Sequence, residues 1–292
     1  MNSMKTIRFA GAQIPCTPYI ALNTQTIKNA IDWAADNNVN YLVTPEASLS
    51  GYSKTFTDAN NDIVTALATI EQYAASMNVG LCLGTLWDEP EINGKIRRNQ
   101  LRFYKDNGDF LGIVNKYITI EHDSDAGVVS DCNKLLIALP VNDQIIPVGG
   151  LLCVDMYGVD INPVPDIPYM YVLMGAKLLI HATNGARNDW PRDQSQKELA
   201  DDISNDWHDV CMRRKSFLGN IPIITVDNCY MCDGTEYHGR TSSESGVIIG
   251  GNWVTKVPRT GTQYFYYDFD VDMLAIDMPI PPEPLEGVNN ID

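Results

Sequence analysis

The chain has 292 residues, 45% of them hydrophobic, which is enough for one large buried core. Acidic residues outnumber basic ones by 37 to 21, and a formal net charge of −16 repels phosphate backbones and anionic lipid, so neither nucleic acid nor a membrane surface is an expected partner. There is no run of about 18 apolar residues to span a bilayer, the first residues lack the pattern of a signal peptide, and seven irregularly spaced cysteines do not make a disulfide framework, so a reducing cytoplasm is the expected compartment.

Residues 6–12 read as a first apolar strand, ended by Gln13-Ile14-Pro15. Asn23 to Asn37 carries Ile27, Ala30, Ile31 and Ala34 at helical spacing. Val39 to Thr44 is a short strand closed by Pro45-Glu46, and Asp58 to Met77 predicts a second helix with Ile63, Ala66, Leu67, Ile70 and Ala74 on one face. Val79 to Leu86 is a strand, and Asn93-Gly94 is a hairpin turn whose second arm is Arg98 to Tyr104. Phe110 to Val114 follows a further turn, and after Lys116 comes a polar loop from Glu121 to Asn133. Leu135 to Pro140 and Gln144 to Val148 predict another hairpin, followed by a central strand that ends at Cys153. Gly149 and Gly150 permit close packing just before that end. Pro168 to Met174 is expected to be helical, Lys177 to Ala182 a buried strand and Gln194 to Phe217 a long helix. Ile221 to Val226, Gly246 to Ile249 and Tyr264 to Phe269 are further strands, and prolines 279, 281, 282 and 284 predict an extended tail. Alternating strands and helices with interposed hairpins imply two mixed sheets packed on each other, with helices outside.

A thiol at a strand end beside a loop is where an attacking group meets a substrate, although a free cysteine is more often a small buried hydrophobe. A cysteine nucleophile needs a base for its proton and a cationic or N–H-rich site for the oxyanion. Glu46 and Lys116 also stand at strand ends, and three such ends can meet at one edge of an α/β sheet. Other chemistry is poorly served. Cys229 and Cys232 with His238 lack the second pair of ligands that zinc requires. G-x-S-x-G, G-x-G-x-x-G and the P-loop are all missing. His181 ends an apolar strand ahead of Asn184 and reads as a hydrogen-bonded histidine at a pocket floor; Tyr52, Tyr157 and Trp190 either line that pocket or pack. No metal and no cofactor are expected.

The segment Thr44-Pro45-Glu46-Ala47-Ser48-Leu49-Ser50-Gly51-Tyr52 resembles the glutamate motif of the nitrilase, or carbon–nitrogen hydrolase, superfamily. Asn115-Lys116 resembles its lysine motif, and Gly149-Gly150-Leu151-Leu152-Cys153-Val154-Asp155 its cysteine motif, in the family's order. Asn99, Gly175 to Ile180, Trp207, Arg213, Asn220 and Asp227-Asn228 extend the likeness over roughly residues 5–275. The resemblance implies a four-layer α-β-β-α sandwich, a hydrolase domain over residues 1–278 with a tail at 279–292, and a homodimer or higher homo-oligomer. It implies Glu46 as base, Cys153 as nucleophile, and Lys116 with the Val154 N–H holding the oxyanion, in the hydrolysis of a small linear amide or carbamoyl compound. Nitrile hydrolysis, acyl transfer to an amine and a non-catalytic binding role are the alternatives. The chain departs from the family in two places. The second glutamate usual after the lysine is missing, with Asp125 the preferred substitute and Glu121 the other candidate; and Tyr157-Gly158 stands where relatives carry arginine and an aromatic residue.

Overall fold

Two six-stranded sheets lie face to face in the computed structural model, which describes residues 5–51, 60–91, 94–131, 135–141, 144–158, 165–185, 194–229 and 241–276. The first sheet contains β1 (Thr6–Gln13), β2 (Tyr41–Val43), β3 (Gly80–Glu91), β4 (Gly94–Tyr104), β5 (Phe110–Asn115) and β12 (Gln263–Asp270), in the order β12-β1-β2-β3-β4-β5. The second contains β6 (Ile137–Val141), β7 (Gln144–Leu152), β8 (Leu178–Ala182), β9 (Ile223–Val226), β10 (Gly246–Ile249) and β11 (Asn252–Lys256), in the order β11-β10-β9-β8-β7-β6. Each sheet has a parallel trio, β1-β2-β3 or β7-β8-β9, flanked by antiparallel strands. Parallel neighbours need crossovers, which helices supply: α1 (Ile20–Asp36) and α2 (Asn60–Ser76) in the first half, α4 (Ile167–Leu173) and α5 (Gln194–Gly219) in the second.

Strand alternation sorts the side chains into layers. Ile7, Phe9, Val43, Phe103 and Val114 of the first sheet meet Ile146, Val148, Ile180, Ile224 and Val226 of the second in the central core. The opposite faces turn outward. Ala10, Leu42, Leu81 and Leu83 pack on Ile27, Ile31, Leu67 and Ile70 of α1 and α2, while Leu151, Leu179 and Ile223 pack on Ile167, Tyr171 and Met212 of α4 and α5. Each such aliphatic side chain contributes about 1.5–3 kcal/mol when fully buried. The result is the expected four-layer α-β-β-α sandwich. Gly150 sets the spacing between leaves near their upper edge: a Cβ there would lie 2.9 Å from Val114 Cγ2 and 3.3 Å from the Phe103 ring.

Several boundaries differ from expectation. The arm Gln144 to Val148 and the central strand are one strand, β7. The first helix begins at Ile20 rather than Asn23. The polar loop contains a short helix, α3 (Glu121–Asp125), and a one-turn helix α6 (Val271–Leu274) follows β12. The edge strand β11 was not expected: its half-buried face holds only Trp253 and Thr255, while Asn252, Val254 and Lys256 face solvent. The expected tail and its prolines lie outside the described residues, as do Tyr52, Trp190, Cys232 and His238.

Candidate active site

Glu46 is held by the turn that follows β2. Thr44 Oγ1 and Ser48 Oγ are 2.7 Å apart, the Gly84 N–H donates to Thr44 Oγ1 at 3.1 Å, and the Leu49 N–H donates to the Gly84 carbonyl at 3.2 Å. Only glycine fits at 84, since a Cβ would stand 2.0 Å from the Pro45 carbonyl oxygen. Ala47, directly after Glu46, has a left-handed backbone with φ 53°. These contacts press the Glu46 side chain into the interior, where it is fully buried.

Lys116 follows β5, and its N–H donates to the Asn99 carbonyl at 2.8 Å. Its buried ammonium bridges two carboxylates, Glu46 Oε1 at 2.8 Å and Asp123 Oδ2 at 2.9 Å. Asn99 Nδ2 also donates to Glu46 Oε1, at 2.7 Å. Oε1 therefore receives two donors, while Oε2, equally buried, has no hydrogen-bond partner among the described residues. Burial pushes the Glu46 carboxyl up to about 7; the Lys116 charge pulls it down and Asp123 pushes it up. Two carboxylates share one buried cation, so a proton resting on Glu46 relieves an excess negative charge that low-dielectric surroundings penalise.

Cys153 follows β7 on the other leaf and opens a 3₁₀ turn, Cys153–Met156, with a left-handed φ of 48°. A non-glycine residue there is strained and is held only by its surroundings. Fully buried His181 supplies part of the hold. Its Nε2 lies 3.1 Å from the Cys153 carbonyl and its Nδ1 2.9 Å from Thr225 Oγ1. A carbonyl only accepts, so Nε2 carries the proton and donates, and burial pushes the ring's pKa down to about 3, leaving it neutral. The Cys153 thiol lies within electrostatic reach of Glu46, Lys116 and Asp123. Burial and then the Glu46 charge push it up to about 12, against the pull of Lys116 and a hydrogen bond with Thr183. The resting sulfur is a thiol, which would need a base to act as a nucleophile.

The acidic residue of this loop that the structure sets on Lys116 is Asp123, whereas Asp125 and Glu121, the residues expected there, are both exposed. The cause is α3. Residues two apart on a helix point about 200° apart, so turning Asp123 inward sends 121 and 125 outward. Counting along an extended loop misses this. Asp123→Asn is expected to lower kcat/KM about a hundredfold by loosening Lys116. It should also move the acid limb of the pH profile to lower pH, because Asp123 raises Glu46. Asp125→Asn and Glu121→Gln should leave both unchanged; steady-state kinetics across pH decides the matter.

The remaining candidates divide. Asn184 Nδ2 donates to the Glu46 carbonyl at 3.2 Å and lies 3.1 Å from Cys16 Sγ, so it braces the glutamate's backbone. Tyr157 is buried, edge-on to His181 at 5.7 Å between ring centroids and tilted over His208 at 4.8 Å and Trp207 at 4.9 Å. Val154 is the second residue of the 3₁₀ turn, where a helix start leaves N–H groups without acceptors inside it. Among the described residues no group of His, Cys, Asp or Glu is arranged to hold a metal ion; Cys229 is buried.

The sequence matches the carbon–nitrogen hydrolase family model over residues 8–257. No curated protein matches it significantly by sequence. In structure the chain is similar to a carbon–nitrogen hydrolase from Helicobacter pylori G27, with a TM-score of 0.74 and 15% identity over 92% of this chain and 90% of that one. It is also similar to two variants of an amidase from Nesterenkonia sp. AN1. One is a glutamate-to-glutamine variant with acrylamide added at its active-site cysteine; its TM-score is 0.69 at 15% identity, covering 92% of this chain and 95% of that one. The other is a cysteine-to-alanine variant in complex with butyramide, with a TM-score of 0.68 at 16% identity and 92% of each chain covered.

Proposed function

The chain belongs to the carbon–nitrogen hydrolase family, and from that premise we propose that it hydrolyses a small linear amide or carbamoyl compound through a thioester on Cys153. The observation that carries this reading is the divided Glu46 carboxylate. Its Oε1 is occupied by Lys116 and Asn99, while Oε2 has no hydrogen-bond partner among the described residues, in a buried site within electrostatic reach of the Cys153 thiol. A carboxyl poised near neutrality beside a protonated thiol is a general base with its proton donor.

In the proposed reaction Glu46 takes the thiol proton as sulfur attacks the carbonyl carbon. The carbonyl π electrons move to oxygen, which accepts hydrogen bonds from Lys116 and the Val154 N–H. The C–N bond then breaks, its electron pair goes to nitrogen, and Glu46 returns the proton so that ammonia or an amine leaves. Water next gives a proton to Glu46 and attacks the thioester carbon. The C–S bond breaks, the thiolate takes the proton back, and the acid is released. Each half-reaction returns Glu46 to its starting state, so no external acid, base or oxidant is consumed.

The hydrolase domain in this reading spans residues 1–278, and it works as a homo-oligomer in the cytoplasm. The outer helices support self-association, since Leu173 on α4 and Val210, Phe217 and Leu218 on α5 are all exposed. No helix among the described residues is long and apolar enough to cross a membrane.

Ammonia release from a panel of amides, ureas, carbamoyl compounds and nitriles tests the reading. Turnover of nitriles alone would favour the nitrile reaction, and no release from any of them a binding role. With the best substrate, kcat/KM is expected to rise with pH through about 7, since the base works only after losing its proton. A profile flat from about pH 5 to about pH 8 would remove Glu46 as the base.

A further inference from the structure

We infer that Asp155 is a positioning residue that locks the turn bearing Cys153 to the loop bearing Lys116. The inference rests on the hydrolase reading for its kinetic consequence and on geometry for the lock itself. Asp155 is fully buried two residues beyond the cysteine. Its Oδ1 accepts from the main-chain N–H of Ile118 at 2.8 Å and of Tyr117 at 3.1 Å. Its Oδ2 accepts from Tyr117 at 3.3 Å and from the N–H of Leu152 at 3.4 Å. Tyr117 directly follows Lys116 and Leu152 directly precedes Cys153, so each arm of the carboxylate ends one peptide away from a reacting residue.

The arrangement meets a specific need. β5 and β7 belong to different sheets, so no ladder of main-chain hydrogen bonds fixes Lys116 relative to Cys153. Their strands touch through side-chain packing at Val114 and Gly150, which sets a spacing but resists sliding weakly. Cys153 is also strained, with φ 48°, and a strained residue persists only where neighbours over-determine it. One rigid, planar carboxylate reaching amides on both sides supplies the missing connection. Displacement of about 1 Å at a reacting group can cost on the order of a hundredfold in rate.

Asp155→Asn in the full-length protein tests the lock. The amide has one acceptor oxygen and conserves the volume: with that oxygen at the Oδ1 place the Leu152 bond is lost, and at the Oδ2 place an NH2 group meets the Ile118 N–H and only the two long bonds, to Tyr117 at 3.3 Å and Leu152 at 3.4 Å, remain. Two readouts separate positioning from mere folding. The first is kcat and KM on the best substrate from the amide panel; kcat should fall roughly tenfold to a hundredfold with KM changed by less than about threefold. The second is the rate of Cys153 alkylation by iodoacetamide from about pH 6 to about pH 10, read by mass spectrometry. Loosening the lock takes Lys116 away from the thiol, so the profile should move to higher pH. A folded variant with unchanged kcat and an unchanged profile overturns the inference, as do losses that only track the unfolded fraction by circular dichroism. Should Asp155→Asn not fold, Asp155→Glu carries the test: it keeps both oxygens but moves them out by one methylene, and wild-type values there overturn the inference equally. Failure of the hydrolase reading looks different. It would appear as no ammonia release by the wild type, while the alkylation profile, which needs no turnover, still decides the lock.

Discussion

Cys153→Ala is expected to lower kcat/KM by about four orders of magnitude or more while leaving the melting temperature nearly unchanged. Both parts follow from the site. The thiol is the atom proposed to form the bond to carbon, so no neighbouring group replaces it. Alanine meanwhile keeps the Cβ and the main chain, so the φ of 48° and the His181 hydrogen bond to the residue 153 carbonyl persist. The variant should still bind substrate, and KM or a binding isotherm would report this. Cys153→Ser should be similarly slow, since a hydroxyl is far harder to ionise than a thiol. Ammonia release at the wild-type rate from pure Cys153→Ala protein would falsify the mechanism.

Lys116→Met is expected to have the largest effect on stability. Lys116 is buried between Glu46 and Asp123, both themselves buried. Removing one partner of a buried ion pair costs about 3–5 kcal/mol because an uncompensated charge is left behind, roughly 10 °C in Tm for a chain of this size. The sign with pH follows from Glu46. Burial already raises Glu46, and without the Lys116 charge that pulls it down it rises further. A group whose folded pKa is raised contributes stability at low pH that is lost as pH rises through the folded value. The variant should therefore sit closest to wild type in acid and fall away from it through neutrality and above. Thermal melts at about pH 5 and about pH 8 check this, and a Tm deficit larger in acid would contradict the assignment. Activity should be lost at both.

The three proposed reacting residues were picked out by the resemblance of the segments around Glu46, Lys116 and Cys153 to the family's three motifs in order; each also stands shortly after a strand, β2, β5 or β7. The alternation of strands and helices likewise carried the layers. Strand order was not legible, since β12 returns to pair with β1 from the far end of the chain, a contact that no local pattern encodes. Asp123 was missed for a local reason, the helical rotation within α3. Asp155 was visible in the cysteine motif, but its partners are main-chain amides brought in by the opposite sheet, and sequence carries no mark of them. His181 was read as a hydrogen-bonded histidine; that its partner is the Cys153 carbonyl depends on the parallel pairing of β7 with β8.

Glu46 and Lys116 stand on one leaf of the sandwich and Cys153 on the other. The apolar filling between the leaves is thus a gauge block for the proposed chemistry: its thickness at Val114 and Gly150 sets the gap across which the proposed proton transfer would run. A methyl group added deep in that layer, far from any reacting atom, acts on catalysis as a shim acts on a closed vice. Remote substitutions in the central core therefore belong to the same mutational class as those in the pocket, and a directed-evolution campaign on this fold would find its rate changes in both places.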